Sequence, residues 1–172
     1  AIHVNPGQEL FQTGGDRNFV GVIEAIKRFI QGSPVPVIIK ETGFGIHPGL
    51  IRQLLDAGAA FVNLAGSGGT NWISVESYRD DPAMFNAAQE FRGWGIPTGL
   101  LLASTEASDR QRLLASGGLR SGLDIAKTVA MGAAAAGFAL PFIRAVHAEG
   151  QEGVQKTIQQ VRTVFTACMA LT

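Results

Sequence analysis

The sequence predicts an α/β fold of the TIM (β/α)8 barrel type, of which the chain holds about strands 4 to 8. Short apolar runs alternate with segments of helical spacing, and a polar or glycine-rich loop follows each run. Buried parallel strands of this kind belong either to a doubly wound sheet or to a barrel. A phosphate-type loop carried by the last two strands, just before the final helix, favours the barrel.

Composition predicts one globular domain, residues 1–172, with a sizeable core. Hydrophobic residues make up 46% of the 172 positions and charged residues 16%. Lys+Arg and Asp+Glu both number 14, so no net charge favours nucleic acid or a membrane surface. We expect neither a transmembrane helix nor a signal peptide. Cys168 is the single cysteine, which indicates a reducing, cytoplasmic compartment and a structural thiol.

The first part of the chain predicts a strand, a helix and a second strand. Residues 2–5 form a short strand that ends in a polar loop over 5–18. Apolar residues at helical spacing predict a helix over Phe19–Ile30, which Gly32-Ser33-Pro34 ends. The continuous β-branched run Val35–Lys40 predicts a strand that is covered on both faces.

The same alternation continues through the centre of the chain. Pro48 begins a helix with a leucine-rich stripe, and Gly58 ends it. Phe61–Ala65 is the next strand, and the glycine-rich loop Gly66–Trp72 follows it directly. After a polar stretch, Met84–Arg92 is predicted to be helical.

The last part of the chain predicts two further strands. Pro97–Ala107 suits a helix because proline favours the first helical turn, although its leucines also suit a strand. Strands are predicted at Leu113–Ala115 and Ala133–Leu140, and helices at Ser121–Ala130 and Gly153–Leu171. The total is five strands rather than eight, so the barrel is predicted to lack its opening strands.

One joint between helix and strand occurs twice. Ala57-Gly58-Ala59-Ala60 precedes one predicted strand, and Met131-Gly132-Ala133-Ala134 precedes another. Each pairs a helix-ending glycine with small residues that enter a buried strand. The recurrence indicates a repeating βα architecture without a domain boundary.

The stretch Ser116–Asp124 is the first candidate binding site. It places two adjacent glycines and Arg120 between a strand and a helix. Glycine lets a backbone approach phosphate oxygens closely, and the first amides of a helix have no partner within it. An ordinary turn that uses glycines for its geometry is an equally good interpretation of the spacing.

Four segments together resemble the type 2 isopentenyl-diphosphate isomerases, flavoenzymes on a TIM-barrel fold. The family's motifs HxNPxQE…GD, PVIxKExGxG, GxGGT and SGGxRxGxD match His3–Glu9 with Gly15-Asp16, Pro36–Gly45, Gly66–Thr70 and Ser116–Asp124. The first motif is the most discriminating, because other FMN-dependent barrels share the last. The resemblance implies interconversion of isopentenyl diphosphate and dimethylallyl diphosphate with reduced FMN and Mg²⁺. It also implies NADPH as the reductant and a homo-oligomer of four or more subunits.

The resemblance implies site residues in the segment that follows the first strand. Gln8 matches the active-site glutamine, which contacts the substrate near its reacting carbons. Glu9 matches the Mg²⁺ ligand. His3 and Asn5 match residues that line the substrate site, with a buried barrel-interior histidine as the alternative for His3.

It also implies flavin contacts along the other strands. Lys40 matches a cation beside the flavin ring, and Thr70 matches an FMN contact. The predicted phosphate cradle consists of Gly118, Leu119, Arg120, Ala139 and Leu140. Trp72 flanks the ring or substrate, or has only a packing role.

Parts of the family pattern lie outside the sequence. We expect the family's N-terminal strands, with their basic substrate contacts, to be absent and the C-terminus to be truncated. The chain is therefore expected to be a fragment of a barrel domain.

Three alternatives remain open. An FMN-dependent 2-hydroxy acid oxidase shares the phosphate motif but needs a catalytic histidine at the end of the strand where this chain has residues 65–69, which include none. His47 and His147 lie on helical segments instead. An IMP dehydrogenase-like barrel needs a loop cysteine, for which Cys168 is misplaced. A phosphate-binding fragment without chemistry is the third.

Overall fold

The computed structural model describes residues 1–79 and 82–171. These residues form five strands and nine helices that alternate for most of the chain. The strands are β1 Ile2–His3, β2 Ile38–Lys40, β3 Phe61–Asn63, β4 Leu113–Ala115 and β5 Ala135–Ala136. The helices are α1 Pro6–Phe11, α2 Val22–Gly32, α3 Pro48–Asp56, α4 Trp72–Glu76, α5 Pro82–Gln89, α6 Thr98–Ser104, α7 Ala107–Arg110, α8 Gly122–Ala130 and α9 Leu140–Leu171.

The sheet is an arc of a barrel. All four strand pairs are parallel, and the strand order is β1-β2-β3-β4-β5, so each new strand joins on the same side. A doubly wound sheet instead reverses its order at a switch point. The sequential order therefore decides between the two architectures that the sequence left open, and the predicted barrel is confirmed as a five-stranded part.

The main core lies between the sheet and the helices that cover its outer face. Ile39, Val62 and Leu113 from the three central strands are fully buried there. They pack with Ile51 and Leu54 of α3 in one continuous cluster. Central strands covered in this way consist of unbroken apolar runs, which is why the sequence located them.

The two predicted joints between helix and strand have the same geometry. Gly58 has φ +102° and Gly132 has φ +103°, a left-handed conformation that glycine adopts without steric cost. In both joints the next amide reaches back into the preceding helix: Ala59 donates to Leu54 O, and Ala133 donates to Thr128 O, each at 3.1 Å. The predicted βα repeat is thus confirmed at the level of hydrogen bonds.

Three predicted element assignments are wrong in part. Residues 5–18 contain α1, because the Asn5 side chain accepts a hydrogen bond from Gln8 N and Pro6 suits the first helical turn. The polar stretch after the glycine loop contains α4, which the Asn71 side chain caps by accepting from Ser74 N. β5 is shorter than 133–140, since α9 already begins at Leu140.

The final helix closes over α8. α9 contains a break at Glu149 and Gly150, and its second half crosses α8 at Gly122. A Cβ atom at Gly122 would lie 2.7 Å from Phe165 N and 3.0 Å from Val164 Cβ. The absence of a side chain at this one position therefore lets the two helices touch.

Within residues 1–79 and 82–171, none of the helices combines the length and the apolar character that crossing a membrane requires.

Replacing Gly122 by alanine should reduce the free energy of unfolding by about 1–3 kcal/mol, because the added methyl group forces α8 and α9 apart. Gly99 is the matched control: it is exposed within α6, and an added Cβ meets nothing within 4 Å. Gly99→Ala should stabilise the protein by about 0.5–1 kcal/mol. Urea denaturation followed by circular dichroism measures both, and equal effects of the two changes would contradict this packing.

Candidate functional site

Four of the predicted site residues share one cavity. The cavity has a volume of about 1060 Å³ and lies beside the loop after β1 and the loop after β2. His3, Asn5, Gln8 and Glu9 line its polar side. Its apolar side is formed by Phe19, Val22, Ile23, Phe44, Ile46, Leu50, Trp94 and Ile96. His3 is exposed in this five-stranded arc, so both interpretations of this residue remain predictions.

Asn5 organises the polar side of this cavity. Its side-chain oxygen accepts from Gln8 N at 3.0 Å and so begins α1. Its side-chain amide donates to Gln8 Oε1 at 3.1 Å and to Thr42 Oγ1 in the loop after β2. Asn5 therefore connects the first two loops and fixes one end of the Gln8 carboxamide.

The other end of the Gln8 carboxamide is held by Glu76, which sequence reasoning missed. Gln8 Nε2 donates to Glu76 Oε1 at 2.8 Å. Glu76 belongs to α4, and its side chain is only 1% exposed. Asn5 and Glu76 together fix which way the Gln8 amide points, because one side of the amide accepts and the other donates.

Glu76 retains one oxygen that is incompletely satisfied. Glu76 Oε2 is buried and accepts no hydrogen bond from the described residues, although Arg79 Nη1 lies 3.2 Å away. Buried carboxylates normally have all their hydrogen bonds satisfied, so such an atom is unusual. A sequence signal existed: Glu76 stands three residues after the buried Ile73, on the same face of a short helix.

Glu9 faces the cavity beside Asp16. Glu9 Oε2 accepts a hydrogen bond from Asp16 N at 3.0 Å, which fixes the carboxylate at the turn after α1. Asp16 itself also lines the cavity. Among residues 1–79 and 82–171, no three His, Cys, Asp or Glu side chains are grouped as a metal site. A divalent ion at Glu9 would thus obtain most of its ligands from elsewhere.

Lys40 ends β2, next to the buried Glu41. The Lys40 ammonium donates to Glu41 O at 2.7 Å. Burial lowers the pKa of Lys40, and the negative charge of Glu41 partly opposes that shift. Burial likewise raises the pKa of Glu41, against the backbone hydrogen bonds that its carboxylate accepts. The half-buried position of Lys40 does not resemble that of a lysine that snorkels to the surface.

The loops after β3 and β4 touch through their backbones. A Cβ atom at Gly117 would overlap Gly66 O and lie 2.6 Å from Gly66 N, so glycine is required at this contact. Thr98, at the start of α6, donates from Oγ1 to Ser116 O and Gly117 O, both at 2.7 Å. The 4%-exposed Thr98 hydroxyl therefore holds the second loop against the first.

The predicted phosphate cradle has two amides without a hydrogen-bond acceptor among the described residues. Among the described residues, none accepts a hydrogen bond from the amides of Gly118 and Leu119. The next amide, Arg120 N, donates to Asp124 Oδ2 at 2.8 Å, within the capping box of α8. The Arg120 guanidinium donates to Gly68 O at 3.2 Å, which ties the two glycine loops together.

The predicted flavin contacts lie outside the cavity described above. In the described part of the chain, its lining includes His3, Asn5, Gln8 and Glu9 but none of Lys40, Thr70, Gly118, Leu119, Arg120, Ala139 and Leu140. Thr70 and Ala139 are exposed, and Leu140 is the first residue of α9. Trp72 packs against the cluster of Phe44, Ile73 and Ala88, which supports its packing role.

A family model described as FMN-dependent dehydrogenase matches residues 16–172. The chain belongs to the FMN-dependent dehydrogenase family. This assignment agrees with the phosphate-type loop that the sequence places between β4 and α8.

The resemblance to the type 2 isopentenyl-diphosphate isomerases is confirmed by curated relatives of the chain. Proteins named isopentenyl-diphosphate delta-isomerase from Borrelia garinii subsp. bavariensis and Vibrio parahaemolyticus are 41% and 43% identical over 169 residues. The alignments cover 98% and 97% of the chain but 47% and 50% of the relatives. The chain therefore spans about half the length of the curated relatives it matches.

Solved structures of an oxidase and a dehydrogenase of mandelate share the fold. A soluble mutant of the membrane-associated (S)-mandelate dehydrogenase from Pseudomonas putida superposes with a TM-score of 0.56 at 19% identity, over 88% of this chain and 37% of that one. A mandelate oxidase mutant gives 0.59 at 22% identity, over 87% and 39%. At such identities the likeness concerns the fold alone, and it agrees with the barrel arc.

Replacing Thr98 by valine should loosen the contact between the two glycine loops, because two carbonyl groups lose the hydroxyl that they share. The amide of Gly66, which donates to Ser116 O at 2.9 Å, should exchange roughly fivefold faster, as expected for a hydrogen bond worth about 1 kcal/mol. Native-state hydrogen exchange measures this.

Thr105→Val is the matched control for that experiment. Thr105 is equally buried, but its hydroxyl donates to Leu101 O within the region of α6, remote from the loop contact. Exchange at Gly66 should remain unchanged in this variant. The same acceleration in both variants would show that Thr98 has no particular role in holding the loops.

Proposed function

We propose that the chain carries part of the active site of an isomerase that interconverts isopentenyl diphosphate and dimethylallyl diphosphate. The observation that carries the proposal is the oriented Gln8 carboxamide, which lies next to Glu9 on the wall of one cavity. The proposal is supported by the relatives that match almost the whole chain, which are named isopentenyl-diphosphate delta-isomerase. Because the chain spans about half of those relatives, the complete activity remains a proposal.

The residues present fit FMN at the predicted cradle. Gly118 and Leu119 offer amides without protein acceptors among the described residues, and Arg120 adds a cation at the edge of the same loop. These are the donors that a phosphate group prefers at the start of a helix. Lys40 would face the ring, where a cation stabilises negative charge. Bound in its reduced form, FMN would supply proton donation and abstraction at the allylic carbons.

The residues around Glu9 fit one divalent cation shared with a diphosphate. Mg²⁺ is usually held by one or two carboxylates, together with phosphate oxygens and waters. Glu9 supplies one carboxylate, and Asp16 stands beside it on the cavity wall. The cation would therefore neutralise the charge of the diphosphate, and Glu9 would fix the position of the cation.

Gln8 serves in this proposal as an orienting group. An amide does not titrate near neutral pH, so its role is hydrogen bonding rather than proton storage. Since Glu76 accepts from Nε2 and Asn5 donates to Oε1, the amide cannot flip without losing both bonds. His3 and Asn5 complete the polar wall that contacts the substrate.

Further parts of the proposal rest on the family resemblance. They are NADPH as the source of reducing equivalents, a homo-oligomer of four or more subunits, and a cytoplasmic location. The single cysteine supports the reducing compartment.

A 2-hydroxy acid oxidase is the second candidate, since mandelate oxidases are among the structural neighbours. The chain offers no histidine in residues 65–69, where such an enzyme is expected to carry its base. His47 instead caps α3 by accepting from Gly49 N, and His147 is exposed on α9. These positions disfavour an oxidase.

A phosphate-binding fragment without chemistry would bind FMN and form no product.

The test is an anaerobic assay with isopentenyl diphosphate, FMN, NADPH and Mg²⁺. It uses the 172-residue chain alone and a chimera that adds the part of the Vibrio parahaemolyticus relative that the chain does not match. Dimethylallyl diphosphate formed by the chimera supports the proposal. Flavin binding without product in both proteins would overturn it in favour of the phosphate-binding fragment.

Replacing Glu9 by glutamine should lower the Mg²⁺-dependent rate of the chimera by about 10- to 100-fold, because one charge-assisted ligand is worth roughly 1.5–3 kcal/mol. FMN affinity should stay unchanged, since Glu9 lies outside the predicted cradle. Glu24→Gln is the control: Glu24 is exposed and pairs with Lys27, so the rate should not change. A parallel loss of FMN from Glu9→Gln would contradict the assigned role.

A further inference from the structure

Glu41 is a buried carboxylate that no step above uses. Its residue exposure is 4%, and its Oε2 atom accepts from the amides of Gly43, Phe44 and Gly45 at distances of 3.1 Å or less. Burying a carboxylate is costly unless hydrogen bonds compensate. Here the carboxylate occupies a concave set of amides of the kind that binds anions. Glu41 thus acts as an internal anion that folds the loop after β2.

The loop that Glu41 folds contacts the elements on both sides of the site. Thr42 Oγ1 accepts from Asn5, which orients Gln8 on the side of the cavity. A Cβ atom at Gly43 would lie 2.6 Å from Thr70 O, so this glycine touches the loop of a predicted flavin contact. Both contacts are made by residues of the turn whose amides bind the Glu41 carboxylate.

The same residue anchors Lys40 through its backbone. The Lys40 ammonium donates to Glu41 O at 2.7 Å, and Glu41 N donates to Asn63 O at 3.2 Å. The carbonyl that receives the ammonium is therefore fixed on one side by the sheet and on the other by the turn. A lysine side chain is flexible, so a fixed acceptor is what gives its charge one location.

We propose that Glu41 is a positioning residue: its carboxylate holds the turn over residues 42–45 that sets the Lys40 ammonium and connects it to Asn5 and Thr70. The part of this inference that concerns flavin and substrate rests on the proposed function. The part that concerns the turn and the Lys40 ammonium does not. Glu41 also lines the cavity, but this assignment gives it no contact with the reacting atoms, since its Oε2 atom is occupied by three amides. Its effect on chemistry passes through Lys40 and Gln8.

The decisive measurement is the pKa of Lys40, followed by NMR of the side-chain Cε in the 172-residue chain without ligands. Glu41→Ala removes the carboxylate that holds the turn over residues 42–45. Lys40 should then become solvated, and its pKa should rise toward the ordinary 10.5. Glu41→Gln keeps an acceptor oxygen for the amides but removes the charge that raises the Lys40 pKa. In that variant the pKa should fall below the wild-type value.

A merely structural residue would not move the Lys40 pKa in opposite directions in the two variants. Amide exchange at Gly43, Phe44 and Gly45 should accelerate in Glu41→Ala and stay close to wild type in Glu41→Gln. Glu24→Gln, an exposed carboxylate paired with Lys27, should change neither quantity. If Glu41→Ala does not fold, Glu41→Asp replaces it, because the shorter side chain falls short of the three amides. A Lys40 pKa that is the same in all variants would overturn the proposal.

FMN titration of the same variants separates this inference from the proposed function. If the wild-type chain binds FMN, Glu41→Ala should bind it about 10- to 100-fold more weakly, the expected effect of misplacing one charged hydrogen-bond donor. Equal affinity in wild type and Glu41→Ala would count against the positioning role. Absence of FMN binding to wild type would count against the proposed cradle, while the Lys40 measurement would still decide the role of Glu41.

Discussion

The contact between Gly66 and Gly117 is the constraint on which the site depends. At this point the loops after two neighbouring strands meet backbone to backbone, with no room for a side chain on Gly117. The Thr98 hydroxyl donates to Ser116 O and Gly117 O in the second loop. The Arg120 guanidinium donates to Gly68 O in the first loop. In the same loop, the amides of Gly118 and Leu119 have no hydrogen-bond acceptor among the described residues.

A second organising feature is the hydrogen bonding between buried and partly buried polar side chains across the loops. Asn5 bonds Thr42 and Gln8, Gln8 bonds Glu76, and Glu41 bonds the turn that carries Thr42. In a low-dielectric interior an unpaired member of such a network is costly, so each residue restricts the geometry of the next. These hydrogen bonds connect the segments that follow three neighbouring strands.

The fold and the proposed chemistry reside in different residues. The barrel arc and the glycine loops relate the chain to FMN-dependent dehydrogenases and to oxidases of mandelate, which share the fold at low identity. Gln8 and Glu9 instead line the cavity, and the carboxylate of Glu76 accepts a hydrogen bond from Gln8. A common scaffold with a distinct polar cluster is how one fold hosts several reactions.

The sequence by itself determined the strands, most helices and the location of the two glycine-rich loops. Buried parallel strands consist of unbroken apolar runs, and glycines such as Gly58 and Gly132 carry a local conformational requirement, so both signals are short-range. Tertiary structure decided the rest. The sequence favoured a barrel over a doubly wound sheet, and the sequential strand order confirmed it. Only folding brought Glu76 to Gln8 across 68 positions of chain. Hydrogen bonds between distant residues leave no local pattern, which is why the roles of Glu41, Glu76 and Thr98 emerged from geometry.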